Sequence, residues 1–405
     1  MDFDDTPEEA KFREEAATWL RANVPSRQEL EGLDFIQQAK FWQKRKADAG
    51  WACIQWPAAY GGRDANAIEQ VILDQEEAKV NPPSTSPFGI GQGMAAPTMM
   101  KWSTEAECLK YLPRLASAED VWCQLFSEPS SGSDLAALRT KAVRDGDDWI
   151  INGQKIWTSG AHYSDYGILV TRTDPTVPKH QGLTYFFIDM KSPGIEIKPI
   201  KQMSGAANFN EVYFTDVRIP DKQRLGKVGE GWSVALTTLM NERASIGSGG
   251  GKAGFDSAMK LAREVKIDDK PAIEDRSVRA KLANWYIQEM GLKYTGYRSM
   301  TALSRGGQPG PENSIGKLVG AKKTQDLSSF AIDLMEQAGI MWNPDSDEFE
   351  DLFQSAFMNI PGLRIAGGTD EIMLNIIAER VLGLPQEPRM DKGIPFNEVP
   401  TAPKR

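Results

Sequence analysis

Histidine and cysteine are scarce in this chain of 405 residues. It has two histidines, His162 and His180, and three cysteines, Cys53, Cys108 and Cys123. Because zinc centres and nucleophilic triads depend on histidine, a histidine-rich metal site is excluded and a triad has few candidates. An odd number of cysteines without paired spacing predicts no disulfide framework and suits a reducing compartment. If the protein is an enzyme, we therefore expect a carboxylate base, a cofactor for the difficult chemistry and no metal.

Long apolar runs and an excess of positive charge are also missing. No uninterrupted apolar run approaches about 18 residues, and the acidic N-terminal segment lacks the basic and then apolar pattern of a signal peptide. We therefore expect a cytoplasmic protein without membrane insertion. The formal net charge of -9 argues against a nucleic-acid-binding surface.

Three blocks of different periodicity follow one another along the chain. A capping-box start at Thr6 and Glu9 opens a series of helical patterns. Short runs with the period of β-strands come next, and helical patterns then return, followed by a proline-rich end that we expect to be loose. The predicted strands lie at residues 149–157, 166–172, 184–190, 195–200 and 211–219. The predicted domains are an N-terminal helical domain (1–118), a central β domain (119–228), a C-terminal helical bundle (229–390) and a tail (391–405).

Two segments more than two hundred residues apart have the composition of one flavin pocket. Residues 127–134 (SEPSSGSD) follow an apolar run and place Gly132 next to Ser133, so that the backbone can closely approach a phosphate or a flat ring. Residues 366–380 (AGGTDEIMLNIIAER) place two glycines and Thr369, a good N-cap, ahead of an amphipathic helix. Free amides at a helix N-terminus attract anions such as a pyrophosphate. Either segment alone would be a weak signal.

Seven ordered landmarks make the chain resemble the acyl-CoA dehydrogenase family over nearly its whole length. They are the acidic opening at 2–25, GWACIQWPAAYGG at 50–62, the SEP stretch, INGQKIWTSG at 151–160, GEGW at 229–232, PENSIGKL at 311–318 and the C-terminal GGTDEI. The resemblance implies an α+β, mostly helical fold with an N-terminal helical domain, a central β-barrel and a C-terminal four-helix bundle. It also implies FAD, an acyl-CoA substrate, an electron-transfer flavoprotein as acceptor, and a homotetramer or heterotetramer.

The resemblance assigns the cofactor contacts to positions in both halves of the chain. Taken singly, a strand aromatic such as Trp157 and a serine-rich turn are most simply structural, and the cofactor role depends on the combination. A departure from the family pattern follows Arg263, where residues 264–267 (EVKI) replace an expected aromatic and glycine. The implied flavin contacts are Phe126, Ser127, Gly132, Ser133, Trp157, Thr158 and Ser159, and those of the pyrophosphate or adenine half are Arg263, Thr369 and Glu371.

The catalytic base departs from the commonest family pattern. Many members carry a glutamate immediately before the Gly-Thr of the C-terminal motif, where this chain has Gly367, which cannot take a proton. Other members place the base on a helix of the C-terminal domain beside an arginine, and the matching pair here is Glu242 and Arg243. The resemblance therefore implies Glu242 as the base. Substrate contacts are implied for Ser133, Arg243, Gly367 and Gly368.

Helical periodicity supports Glu242 independently of the resemblance. Ala235, Leu239, Glu242 and Ile246 fall on one face of a predicted helix, so Glu242 interrupts an otherwise apolar stripe. Desolvation on such a face raises the pKa of a carboxyl group and favours proton abstraction near neutral pH. The alternative is a surface glutamate paired with a neighbouring lysine or arginine, as most glutamates are.

The sequence thus predicts an FAD-dependent acyl-CoA dehydrogenase that forms a trans-2-enoyl-CoA and passes electrons to a flavoprotein. The chain resembles bacterial members used in the catabolism of unusual acids, some of which act on branched, dicarboxylic or steroid side-chain acyl-CoAs. Two alternatives stay open. One is a flavin monooxygenase or nitroalkane oxidase on the same fold, and the other is a subunit of a heteromeric dehydrogenase that lacks independent activity.

Overall fold

The computed structural model describes residues 5–246, 253–304, 310, 314–341 and 349–400. Contacts between Cα atoms divide the chain into two compact units. The first unit contains the chain up to residue 201, residues 207–242 and the segment from 389 onwards, and the second contains residues 202–206 and 243–388. Within the described ranges, no helix combines the length and the apolarity needed to cross a bilayer.

The first unit opens with helices that bury an aromatic cluster. The predicted capping box is confirmed, because the Glu9 N–H donates to the Thr6 hydroxyl at 3.2 Å and the Thr6 N–H donates to the Glu9 carboxylate at 2.7 Å. Trp19 stacks on Trp42 and Trp51, with ring centroids 5.6 and 5.8 Å apart. The helices are α1 (Pro7–Asn23), α2 (Phe35–Asp48), α3 (Ala67–Val80), α4 (Ala96–Trp102) and α5 (Glu105–Ala116).

A mixed β-sheet follows the helices. All five strands that periodicity predicts are present in it, as β3 to β7. The strands β1, β2 and β8 are not among those predicted from periodicity. The strand order is β6-β7-β3-β2-β4-β5-β8, and β1 pairs in parallel with β4. The strands are β1 (Trp122–Leu125), β2 (Lys141–Asp145), β3 (Asp148–Ser159), β4 (Tyr166–Arg172), β5 (Leu183–Asp189), β6 (Ile195–Ile200), β7 (Phe209–Pro220) and β8 (Arg224–Leu225).

The prediction of a closed β-barrel is wrong. In the part of the chain that the structure describes, the edge strands β6 and β8 do not pair with each other, so the sheet is open. The physical reason is the length of β8, which has two residues and pairs only with Tyr185 and Phe186 of β5. The chain then leaves the sheet to begin helix α6 (Gly231–Ile246).

Side chains of successive strand residues point to opposite faces, so the continuously buried strands β4 and β5 are covered on both faces of the sheet. Tyr185 and Phe187 of β5 enter a core shared with α4, α5 and the start of α6. Phe186 and Ile188 of the same strand enter a second core between the strands themselves. The strand β5 is therefore buried on both sides, as its continuous apolar run indicates.

The second unit is helical and has its own core. Apolar residues of α7, α8, α9 and α10 share one cluster that includes Leu261, Trp285, Leu327 and Phe353. The segment that departs from the family pattern after Arg263 forms a short hairpin of β9 (Lys266–Ile267) with β10 (Lys270–Pro271). The helices are α7 (Phe255–Glu264), α8 (Arg276–Ser304), α9 (Ser314–Leu334), α10 (Phe349–Leu363) and α11 (Asp370–Ile376).

The proline-rich end of the chain differs from the expected loose tail. The Phe396 N–H donates to the Val177 carbonyl and the Asn397 N–H to the Pro175 carbonyl, both at 2.9 Å. The Phe396 ring lies under the Arg172 guanidinium, 3.7 Å from its central carbon. These backbone and cation–π contacts fix residues 395–399 on the first unit.

Gly231→Ala tests how tightly the start of α6 approaches β5. A Cβ at Gly231 would lie 2.6 Å from the Leu183 carbonyl carbon and the Thr184 nitrogen, which are backbone atoms that cannot rotate away. We expect the substitution to lower the free energy of unfolding by about 1–3 kcal/mol. Chemical denaturation measures this, with Ser233→Ala in the exposed part of the same helical turn as the control. Equal stability of the two variants would contradict the close approach.

Candidate active site

The first cofactor segment, as named here, is residues 126–134, which continue directly from the buried strand β1. Phe126 is buried, and its ring meets that of Tyr185 edge-on at a centroid distance of 5.8 Å. The Phe126 side chain therefore belongs to the core, and its backbone is what remains for a ligand. The half-buried Ser127 accepts a hydrogen bond at its carbonyl from the Ile156 N–H at 2.9 Å. This bond joins the first cofactor segment to β3, which carries the second.

The serine-rich segment is a tight loop with an open outer side. Glu128 and Ser131 exchange two backbone hydrogen bonds of 3.0 Å each. The next two residues, Gly132 and Ser133, are exposed, and a Cβ at Gly132 would meet nothing within 4 Å. The loop thus offers a hydroxyl and open space beside its backbone.

The second cofactor segment, as named here, is residues 157–159, which lie at the end of β3 where the strand is irregular. The pairing register between β3 and β7 shifts between Lys155 and Thr158. At this irregularity Trp157 has a left-handed backbone, with φ of 61°, and its side chain is 57% exposed. A bulky residue rarely adopts positive φ, and such strain concentrates at functional sites. The irregularity presents the indole to solvent.

The two residues after Trp157 differ in access. Thr158 is 1% exposed, and its Oγ1 has no hydrogen-bond partner among the described residues. Ser159 is half-buried. Because neighbouring strand residues face opposite ways, Trp157 and Ser159 are accessible while the Thr158 side chain points inward.

Glu242 lies on α6, in the first unit, and is 8% exposed. The predicted stripe holds for Ala235, which is fully buried, and Leu239, which packs against the sheet core. The Gln124 side chain of β1 donates from Nε2 to Glu242 Oε2 at 3.5 Å. The candidate base is therefore a buried carboxylate that contacts the strand leading into the first cofactor segment.

A buried hydroxyl network lies one helical turn before Glu242. The Thr238 hydroxyl is 2.9 Å from the hydroxyls of both Tyr185 and Thr98. Burial raises the pKa of Tyr185, and the nearby charge of Glu242 adds to this effect. The Tyr185 phenol therefore stays protonated and holds α6 against β5.

The glycine pair of the second unit forms a turn that only glycine accepts easily. Gly367 and Gly368 have φ of 65° and 98°. The Lys317 ammonium, which is buried, donates to the Gly368 carbonyl. Thr369 is the N-cap of α11, as predicted, and its hydroxyl accepts from the Ile372 N–H at 3.2 Å. The position that holds a glutamate in many family members is therefore part of a left-handed turn here.

The remaining predicted residues of the second unit are exposed or not described. Arg263 is exposed in the last turn of α7, and Glu371 is exposed in the first turn of α11. The pKa of the Glu371 carboxyl is lowered by hydrogen bonds from the backbone N–H of Glu371 and from the Thr369 hydroxyl. The Arg243 side chain lies outside the described residues.

The structure connects three parts of the predicted site in the first unit. Backbone pairing joins Ser127 to the strand that carries Trp157, and Gln124 joins the same region to Glu242. Sequence reasoning missed Gln124 and Glu128. The available signals were an isolated polar residue inside the apolar run of β1 and an acidic residue that starts a serine-rich turn.

FAD fits the residues of the first unit. The cofactor has a flat ring system and an anionic diphosphate arm. An exposed indole held in a strained conformation offers a flat apolar surface, and the loop at Gly132 and Ser133 offers space where a Cβ would meet no atom. The half-buried Ser159 adds a hydroxyl beside the indole.

Gly368→Ala tests the left-handed turn. A Cβ at this position would lie 2.5 Å from the Met373 terminal methyl, and the residue would keep φ of 98°. We expect a loss of about 1–3 kcal/mol in the free energy of unfolding, because a residue with a Cβ is strained at this φ even if the flexible end of the Met373 side chain moves aside. Gly362→Ala in α10 is the matched control, since a Cβ there meets nothing within 4 Å and alanine favours a helix. Gly368→Ala as stable as Gly362→Ala would contradict the turn geometry.

Family models and individual proteins match this chain along its length. The models match as acyl-CoA dehydrogenase N-terminal domain at residues 6–119, middle domain at 123–217 and C-terminal domain at 229–382. Acyl-CoA dehydrogenase IpdE1 of Mycobacterium tuberculosis is 34% identical over 395 residues, which are 93% of this chain and 98% of that protein.

Two further proteins extend the comparison. Acyl-CoA dehydrogenase FadE34 of Mycobacterium tuberculosis is 40% identical over 344 residues, 84% of this chain, but the chain spans 45% of FadE34. The crystal structure of the ChsE4-ChsE5 complex from Mycobacterium tuberculosis superposes with a TM-score of 0.79 at 27% identity, covering 96% of this chain and 100% of that one.

The family's solved structures include a glutaryl-CoA dehydrogenase of Mycobacterium smegmatis in complex with FADH2, which is 22% identical and shares the fold. Together with the site geometry, these matches identify the chain. It belongs to the acyl-CoA dehydrogenase family, whose members are FAD-dependent oxidoreductases acting on CH–CH groups.

Proposed function

We propose that this protein oxidises an acyl-CoA thioester to the trans-2-enoyl-CoA, with Glu242 as the base that removes the proton from the α-carbon. The observation that carries the proposal is the position of Glu242. It is a buried carboxylate on α6, and Gln124 joins it to the strand from which the first cofactor segment emerges. Gly367 has no side chain to take the proton at the commonest family position.

Each residue of the site has a defined task in this proposal. Glu242 accepts and holds the α-proton, and burial makes a carboxylate a stronger base than it is in water. Gln124 donates to Oε2 of Glu242 and so limits the rotation of the carboxylate. Tyr185 and Thr238 fix the turn of α6 that precedes Glu242. The apolar residues of the stripe keep water from the carboxylate.

FAD is held, in the proposal, by Ser127, Gly132, Ser133, Trp157 and Ser159 of the first unit, with Phe126 contributing its backbone and Thr158 supporting the strand from within. When bound, this cofactor supplies the acceptor for the hydride that leaves the β-carbon. The indole of Trp157 would cover the ring system, and the loop at Gly132 would accommodate the phosphates. Arg263, Thr369 and Glu371 are assigned to the pyrophosphate and adenine half by the family resemblance.

The acyl group belongs, in the proposal, to an unusual acid, such as a branched, dicarboxylic or steroid side-chain acid. A glycine at position 367 removes a side chain that many family members have there, and this supports a wider pocket. Ser133, Arg243, Gly367 and Gly368 are assigned to the substrate. The proposed electron acceptor is an electron-transfer flavoprotein. The proposed assembly is a tetramer, and the proposed architecture of α7 to α10 is a four-helix bundle.

A second candidate function is that of one subunit in a heteromeric dehydrogenase. It is favoured by the similarity to the ChsE4-ChsE5 complex, which contains two different chains. The altered segment after Arg263 also supports it, because that segment is where the family's usual cofactor pattern changes. Co-expression with a second homologous chain would separate the alternatives, since only a heteromer needs that chain for bound flavin and activity.

Glu242→Gln tests the assignment of the base. Glutamine keeps the size of the side chain but cannot accept the proton, so we expect FAD to stay bound while reduction by acyl-CoA slows by about 100-fold or more. Anaerobic mixing of the purified protein with straight-chain, branched, dicarboxylic and steroid side-chain acyl-CoAs, followed by bleaching of the flavin absorption band, measures the rate. The control is Glu14→Gln on the exposed face of α1. Wild-type bleaching rates in Glu242→Gln would exclude Glu242 as the base.

A further inference from the structure

We propose that Glu128 and Lys155 are positioning residues that set the distance between the two cofactor segments and thereby the affinity for FAD. The inference rests on the proposed placement of FAD against the segments of Ser127 and Trp157. Neither residue is assigned a contact with the cofactor. Their effect is transmitted through the backbone of the segments that they connect.

Lys155 lies inside the protein, although lysine is among the residues most rarely buried. Its side chain is 0% exposed, and Nζ donates to Glu128 Oε1 at 2.9 Å and to the Phe126 carbonyl at 3.0 Å. Both acceptors belong to the first cofactor segment, while Lys155 belongs to β3. A single ammonium group thus connects the backbone and a side chain of one segment to the strand of the other.

Glu128 is held as firmly as its partner. Its Oε1 also accepts from the Thr140 N–H at 2.8 Å, and its Oε2 accepts from the Arg139 N–H at 2.7 Å. Burial alone would raise the pKa of Glu128, but the charge of Lys155 and the hydrogen bonds from Thr140 lower it. The carboxylate is therefore ionised and bound through both oxygens, which leaves it no freedom to change its rotamer.

The pair is adjacent to the strained part of the site. The register of β3 shifts immediately after Lys155, and Trp157 has its left-handed backbone within the shift. Between them, the Ile156 N–H donates to the Ser127 carbonyl at 2.9 Å. A strained conformation persists only where its surroundings enforce it, and the bonds of Lys155 fix the strand on the side where the shift begins.

The energetics of buried ion pairs favour a positioning role over a stabilising one. Desolvation of two charges offsets most of their attraction, so such a pair contributes little net stability even though removal of one partner is strongly destabilising. What the pair provides is a defined geometry, because a planar carboxylate with three different donors accepts one arrangement of its neighbours. That geometry fixes the separation of Phe126 from β3.

The first unit contains a matched control pair. Lys46 Nζ lies 2.9 Å from Glu77 Oε1, the same distance as in the proposed pair, and Lys46 is also buried. It joins α2 to α3, in the N-terminal helices. Lys46→Met removes a buried ammonium and leaves a hydrogen-bonded carboxylate without that cation, as Lys155→Met does, but in a region to which no cofactor contact is assigned.

The test compares Lys155→Met, Glu128→Gln and Lys46→Met in the full-length protein. For each variant, the dissociation constant of FAD is measured by titration of the flavin-free protein, and thermal unfolding is measured on the same samples without FAD. We expect all three to unfold at lower temperature than the wild type. We expect FAD affinity to fall about tenfold or more in Lys155→Met and Glu128→Gln and to change less than about twofold in Lys46→Met.

Four other outcomes are decisive. Equal loss of FAD affinity in Lys155→Met and Lys46→Met would make the pair merely structural and overturn the inference, as would unchanged affinity in the first. If Lys155→Met does not fold, the double variant Glu128→Gln/Lys155→Met replaces it, because that variant leaves neither charge without its partner. Wild-type affinity for FAD in the double variant would overturn the inference. A wild-type chain that binds no FAD would instead overturn the proposed function, and the inference with it.

Discussion

The candidate site depends on Tyr185, a residue that contacts neither substrate nor cofactor in the proposed mechanism. Its ring packs edge-on against Phe126, where the first cofactor segment begins, and its hydroxyl bonds to Thr238, one turn before Glu242. A buried phenol must satisfy its hydroxyl, so the position of α6 is coupled to the position of β5 by the same side chain that supports Phe126. The distance between the base and the first cofactor segment is thereby defined by the sheet core.

Much of this arrangement could be predicted from the sequence, because local rules determine it. The capping box at Thr6 and the N-cap at Thr369 depend on residues within four positions of one another. Strands β3 to β7 follow from alternating or continuous apolar runs, and the burial of Glu242 follows from the period of one helix. In each case the determining residues are neighbours in the chain.

What the sequence could not predict depends on tertiary register. The barrel expectation failed because closure would require a last strand long enough to reach β6, and β8 has two residues in a stretch without a clear period. Gln124 contacts Glu242, 118 positions away, only because β1 pairs with β4 in a particular register. Thr158 shares a motif with Trp157, yet the alternation of the strand turns its side chain inward. Motif membership therefore does not establish access to a ligand.

The second cofactor segment contains two features that lower the stability of the first unit. Trp157 is strained, and the buried Thr158 hydroxyl has no partner among the described residues. Natural sequences depart from locally consistent choices mainly at functional sites. Two such departures in adjacent residues lie beside a buried ion pair at this end of β3.

The environments of the carboxylates around these segments explain why Glu242 is the candidate base. Glu128 is equally buried and closer in sequence to the serine-rich loop, but both of its oxygens already accept hydrogen bonds from backbone N–H groups and one also from Lys155. A low pKa and occupied lone pairs make it a poor proton acceptor. Asp134 is exposed and paired with Lys179 at 2.7 Å, so it is not shielded from water and already has a cationic partner. A carboxylate that takes a proton from carbon must be shielded from water, and Glu242 is buried on the apolar face of α6.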